Sequence, residues 1–196
     1  MQDPHRFNTR AWLLWLAGFL SFPIAGIAAG AVAGRIDDAG SAVLGGLVAG
    51  AVIGTGQWLV ARRLLDAQTW IPATALAMGI GLAVGAWVVG YGTSLGELVL
   101  MGAITGIPLG VAQAYLLRDR VANAWVWAAA MPLLWALGWT VTTVGGIAVD
   151  QQFAVFGAYG AITFMALSGI LLDRLRAATS PAALTLDPAQ HKATAV

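Results

Sequence analysis

The sequence predicts an all-α integral membrane protein: six transmembrane helices, built as three tandem two-helix repeats in a pseudo-threefold arrangement. Three observations carry this. The chain is 59% hydrophobic and 10% charged, with a mean hydropathy of +0.80. A soluble domain carries about 25% charged residues, so this chain is too poor in charge to coat a water-facing surface. Its apolar runs are also as long as the roughly 20 residues that a bilayer-crossing helix needs. Finally, Arg62, Arg118 and Arg174 recur at intervals of 56 residues, each just after an apolar run.

The expected helices span 11–34, 40–61, 69–91, 97–117, 124–148 and 153–172. A sheet is rejected because the runs lack polar alternation. The first helix follows Arg6 and Arg10, contains Trp15 and Pro23, and carries Gly26, Gly30 and Gly34. The second carries Gly46, Gly50, Gly54 and Gln57 and runs into Arg62 and Arg63. In the third, Trp70 and Pro72 precede Gly81 and Gly85. The fourth repeats the second, with Gly102, Gly106, Gly110 and Gln113 leading into Arg118, and adds Pro108. The fifth opens on Trp127 and contains Pro132. The sixth departs from the pattern, with Ala158, Ile162 and Ala166 in place of the glycines and Ser168-Gly169 in place of the glutamine. Glycines four apart share one helix face, and without Cβ atoms the backbones approach closely, as membrane packing favours. The sixth helix is expected to pack less closely, or to face lipid or a partner. The intramembrane prolines each remove a backbone donor and can bend their helices.

Domain organisation follows. Residues 1–10 form a cytoplasmic N-terminal segment and 11–176 the transmembrane domain, with repeats of about 11–65, 66–121 and 122–176. Residues 177–196 are rich in Ala, Thr and Pro and are expected to be a disordered cytoplasmic tail. Nine of the ten basic side chains lie on one side of the six spans, with Arg35 alone on the other. The positive-inside rule puts that side, and both termini, in the cytoplasm. Trp12, Trp15, Trp58, Trp70, Trp125 and Trp127 fall near the same boundary, where indoles favour the headgroup zone. A cleaved signal peptide is the competing reading of the N-terminus. The first apolar run exceeds the usual 7–15 residues and carries the repeat's own Trp15, so retention is expected. The location implied is a bacterial cytoplasmic membrane.

The motif Gly54-Thr55-Gly56-Gln57-Trp58-Leu59 running into Arg62-Arg63 has a second copy at Gly110-Val111-Ala112-Gln113-Ala114-Tyr115 running into Arg118. This G-Q-W-L-x-x-R-R pattern resembles an uncharacterised group of bacterial Gly/Ala-rich repeat membrane proteins, over most of residues 11–176. The resemblance implies a repeat membrane fold and carries no activity with it.

Several chemistries are excluded outright. The chain has no cysteine, its two histidines are His5 and His191 in the polar termini, and its one lysine is Lys192. Thiolate chemistry, haem ligation by an intramembrane histidine and an intramembrane Schiff base are therefore out of reach. Apart from Glu97 at the outer boundary of the fourth span, no His, Asp or Glu lies inside the expected spans to act as a base, metal ligand or proton relay. The chain is accordingly not expected to be an enzyme, nor to hold a cofactor or metal. A net charge of +1 gives no footprint for nucleic acid.

Gln57, Gln113 and Ser168 mark either a polar ligand site near the repeat axis or interhelical hydrogen bonding, since an unmet amide in hydrocarbon costs several kcal/mol. Arg62, Arg118 and Arg174 read either as contacts for anionic lipid, each worth about 1 kcal/mol, or as topology determinants alone. Asp37, Asp38, Glu97, Asp150 and Ser94 on the far side read as a hard-cation cluster or as solvated loop charges. The function expected is a non-enzymatic scaffold, or a module binding lipid or a hydrophobic ligand, whose partners are membrane lipids, other membrane proteins or itself. The alternative is a passive channel or facilitator, for which Thr55, Gln57, Thr105, Gln113 and Thr163 are the available axial polar groups. A scaffold would have a filled axis and present large side chains such as Trp87, Trp135 and Trp139 outward.

Overall fold

The computed structural model describes residues 7–147 and 154–178. Among these the chain is all-helical. α1 (Thr9–Ala17), a single 3-10 turn (Gly18–Leu20) and α2 (Ser21–Ala33) make the first long rod. α3 (Ala39–Ala61), α4 (Ala67–Val88), α5 (Leu95–Leu117), α6 (Ala124–Val144) and α7 (Ala158–Ala177) follow. Six of these rods are long and apolar enough to cross a membrane, which fits a multi-pass membrane protein. Each packs against the next, and α7 returns to α1, so the helices close into a ring.

Helix starts are set by side-chain caps. Asn8, Asp38, Asp66 and Ser94 each accept a hydrogen bond from a backbone N–H in the first turn of the helix that follows. Asp38 with Ser41, and Ser94 with Glu97, form reciprocal capping boxes. The first rod is broken where Pro23 cannot donate to the carbonyl four residues back. The chain tightens to 3-10 geometry there, and Ser21 Oγ donates to Gly18 O at 2.7 Å.

Three hydrogen bonds stitch the arginine-bearing end together. Arg120 Nη1 donates to Leu64 O, joining the α5–α6 and α3–α4 connections. Ala122 N donates to Leu175 O at 3.1 Å, and Asn8 N to Asp173 Oδ1 at 3.3 Å, joining these to α7 and the N-terminus.

Glycine rows make the tightest seams. A Cβ placed on Gly46 or Gly50 would lie within 2.8 Å of α4 backbone, against Met78 O and Gly79 Cα or against Ala75 Cα and Thr74 O. On Gly102, Gly106 and Gly110 it would lie within 3.0 Å of α6 backbone at Trp135 O, Pro132 Cα and Ala128 O. Gly81 and Gly85 approach Thr105 and Met101 of α5 in the same way.

Four expectations need correction. Gly26, Gly30 and Gly34 do not form a packing row. Gly30 and Gly34 face open space, and Gly26 meets only the side chain of Val155. Gly34 instead ends α2 with a φ of +71°, a conformation that a Cβ would strain. Secondly, Trp15, Trp70 and Trp127 do not turn their indoles outward: they are buried in the core, with their N–H groups bonded to acceptors inside the bundle. Trp125 alone of the six expected there is strongly exposed. Thirdly, of Trp87, Trp135 and Trp139, Trp87 faces outward and the other two are buried.

Finally, the last helix runs over Ala158–Ala177, displaced C-terminally from the expected 153–172. Ala154, Val155 and Phe156 precede it as buried, non-helical chain. Phe156 stacks on Phe22 at 5.2 Å and meets Trp135, Trp139 and Phe164 edge-on or tilted at 4.9–6.0 Å. Aromatic burial of this size outweighs continuing the helix by one more turn. The external loop expected at 149–152, with Asp150, lies outside the described residues, as do 1–6 and 179–196 of the two terminal segments.

Candidate functional site

Gln57 lies four residues before the end of α3, and Trp70 is the fourth residue of α4. Two helices joined by a short connection bring such positions face to face. Trp70 Nε1 donates to Gln57 Oε1 at 3.0 Å. The next pair repeats the arrangement: Trp127 Nε1, from the first turn of α6, donates to Gln113 Oε1 near the end of α5 at 3.1 Å. The two pairs are joined across the bundle. Gln113 Nε2 donates to Gln57 Oε1 at 3.3 Å and to Thr74 Oγ1 at 3.2 Å. A third indole, Trp15 Nε1 on α1, donates to Ser168 Oγ on α7 at 3.0 Å. Its ring meets that of Trp127 edge-on at 6.1 Å.

Gln57, Gln113, Thr74 and Ser168 are each at most 1% exposed. All three indole N–H groups and the Gln113 amide are therefore satisfied within the protein, as buried polar groups must be. Of the sequence candidates, the structure brings Gln57 and Gln113 into direct contact and places Ser168 in a separate pair with Trp15. Thr74 and the three tryptophans were not expected among them. The signal was present as a glutamine near the end of one helix and a tryptophan one turn into the next, 13 or 14 residues later.

The remaining axial candidates spend their hydroxyls locally. Thr55, Thr105 and Thr163 each donate to the carbonyl four residues back, at 2.7–2.9 Å. Only Trp135 Nε1 and Thr142 Oγ1, both on α6, are buried without a hydrogen-bond partner among the described residues.

Arg62, Arg118 and Arg174 are all exposed at the stitched end of the bundle. Arg118 lies over the Tyr115 ring at 3.9 Å, donates to Tyr115 O, and approaches Asp119 at 3.4 Å. Beside it is a polar cleft of about 300 Å³ between Asp66, Trp70, Tyr115 and Arg120. At the other end, Asp38 and Glu97 act as helix caps. The backbone N–H of Ser41 holds the Asp38 carboxyl below its ordinary pKa. No cluster of three or more acidic or histidine side chains suited to a metal occurs among the described residues.

No protein-family model, no curated protein and no solved structure matches this chain.

Proposed function

We propose that the protein is a non-enzymatic scaffold of a bacterial cytoplasmic membrane, a closed six-span module whose interior is sealed and whose outer surface meets lipid and other membrane proteins. One observation supports this above the others. The polar groups that an axial path would need are consumed by one another, Gln57 and Gln113 by the indoles of Trp70 and Trp127 and by their mutual bond. Fully buried Met78, Met131, Phe164 and Met165 fill out the same core.

The reading includes the repeat. In each of the three copies a tryptophan from the first helix donates to a polar side chain on the second helix of the copy before it, and Trp15 with Ser168 closes the cycle. A pseudo-threefold ring of three hairpins accounts for this pattern, and membership of the Gly/Ala-rich repeat group is part of the same proposal. The orientation rests on the exposed arginines gathered at one end, with both termini cytoplasmic.

Two measurements test it. Single cysteines at Ser41 and Ser94 are expected to react with an impermeant maleimide in intact cells, and one at Ala67 to be protected. The reverse pattern inverts the topology. In liposomes the protein is expected to leave the permeability to ions and small neutral solutes unchanged. Reproducible flux that disappears when Gln57 and Gln113 are both replaced by leucine would overturn the scaffold in favour of a channel.

A further inference from the structure

Beside the 3-10 turn lies a lateral groove between the first rod and α3, with a volume of about 450 Å³. Its floor is made of small residues, with Gly56 so close to Ser21 that a Cβ there would collide with it. Its rim carries Leu20, Ile24 and Leu59, each more than half exposed. The two hydroxyls that line it ask for nothing: Ser21 Oγ is bonded to Gly18 O, and Thr55 Oγ1 to Ala51 O. A ligand lying in the groove therefore meets only hydrocarbon, and it must itself be apolar there.

The end of the groove is different. Leu59 and Val60 line it, and Arg62 and Arg63 follow within one turn, both exposed. Arg10 sits at the start of α1 on the same end of the bundle. None of these three has an ion-pair partner among the described residues. The acidic groups of that end are engaged elsewhere: Asp66 with the α4 N-terminus, Asp173 with Asn8 N and Asp119 with Arg118. An apolar trough whose end at Leu59 and Val60 is followed within one turn by the exposed, unpaired Arg62 and Arg63 has the charge and polarity order of a phospholipid with an anionic headgroup.

We propose that this groove is a specific site for one anionic phospholipid, its acyl chain between the first rod and α3 and its phosphate at Arg62 and Arg63. The proposal rests on the membrane-scaffold reading and names a ligand for that scaffold's outer face. The polar cleft beside Arg118 is not equivalent, because it lacks the apolar trough.

The test uses the full-length protein, purified in detergent, exchanged into lipid-free micelles and titrated with long-chain phosphatidylglycerol or phosphatidylcholine under native mass spectrometry. One phosphatidylglycerol is expected to remain bound and to outcompete phosphatidylcholine. Replacing Arg62 and Arg63 together by glutamine is expected to weaken phosphatidylglycerol by about thirtyfold, roughly fivefold per arginine, and the zwitterionic phosphatidylcholine by much less, so that the preference between them disappears. Filling the trough with Ala51→Trp is expected to abolish binding of both. Ala17→Phe, at an exposed position on the rim, is the parallel variant should Ala51→Trp fail to fold. Retention of phosphatidylglycerol at wild-type level in a folded trough variant overturns the site. So does equal affinity for the two lipids, or displacement by soluble glycerol phosphate alone, which would make it a site for a free anion. Loss of the protein from alkali-washed membranes would refute the membrane reading itself, whereas an inserted protein that binds no lipid refutes the groove alone.

Discussion

The seams between α3 and α4 and between α5 and α6 are built from backbone against backbone, while the seam that closes the ring, between α7 and α1, is built from indole. In the first two, Gly50 and Gly106 bring their helices so close that a methyl group would touch main-chain atoms at 2.6–2.7 Å. In the third, a Cβ on Gly169 would meet the rings of Trp15 and Trp12 at 2.8 and 3.0 Å, and Trp12 Nε1 spans to Ala166 O at 2.9 Å. The hydrogen bonds differ in the same direction. The two glycine seams hold glutamines joined to each other, whereas at the closing seam the buried acceptor for Trp15 is a single hydroxyl, Ser168, with no bond to either glutamine. A covalent connection of a few residues pins α3 to α4 and α5 to α6. Nothing of the kind pins α7 to α1, and side-chain volume takes the place of backbone contact there.

The largest effect that would sharpen this contrast comes from overpacking. Gly50→Leu and Gly106→Leu are each expected to lower stability by about 1–3 kcal/mol, because rigid backbone cannot move aside. Gly30→Leu, which faces open space, is expected to leave the melting temperature in detergent unchanged. Equal melting temperatures for all three would remove glycine contact as the organising force.

Acceptor removal comes next. Gln57→Leu or Gln113→Leu leaves an indole N–H unmet in the core and is expected to cost about 1–2 kcal/mol. Ser168→Ala, at the closing seam, removes a single acceptor and is expected to cost about 0.6 kcal/mol. A larger loss at Ser168 than at either glutamine, measured by chemical or thermal denaturation, would show that the third seam is the strong one.

A change of opposite sign is expected on α6. Thr142 Oγ1 is buried with no hydrogen-bond partner among the described residues, so Thr142→Val is expected to stabilise the protein by about 1 kcal/mol. A destabilisation would mean that the hydroxyl has a partner in solution.

The sequence carried much of this. Six apolar runs, the 56-residue arginine spacing and the glycine rows of the second, third and fourth spans are local patterns, and local patterns survive being read one residue at a time. Helix starts were legible only to within a residue or two: α3, α4 and α5 begin before the expected 40, 69 and 97, where the side chains of Asp38, Asp66 and Ser94 cap them. The tryptophans were not. An indole near a span boundary suits the headgroup zone and the core equally well on composition, and only the position of an acceptor decides. Similarly, Gly26, Gly30 and Gly34 have the spacing of a packing face, but whether a face has a neighbour depends on where the other helices pack, and none of the described ones lies against Gly30 or Gly34.

What the sequence by itself determined is therefore the number of long apolar rods, their approximate positions and the end at which the charges gather, because hydropathy and the cost of an unbonded backbone in lipid fix these without reference to other helices. Tertiary structure alone decided which faces meet. It joined Gln57 to Gln113 and Trp15 to Ser168, set Phe156 among four aromatic rings, and started α7 five residues later than its hydropathy suggested. Those outcomes depend on shape and on acceptors supplied by residues far away in the chain, and a one-dimensional pattern does not contain them.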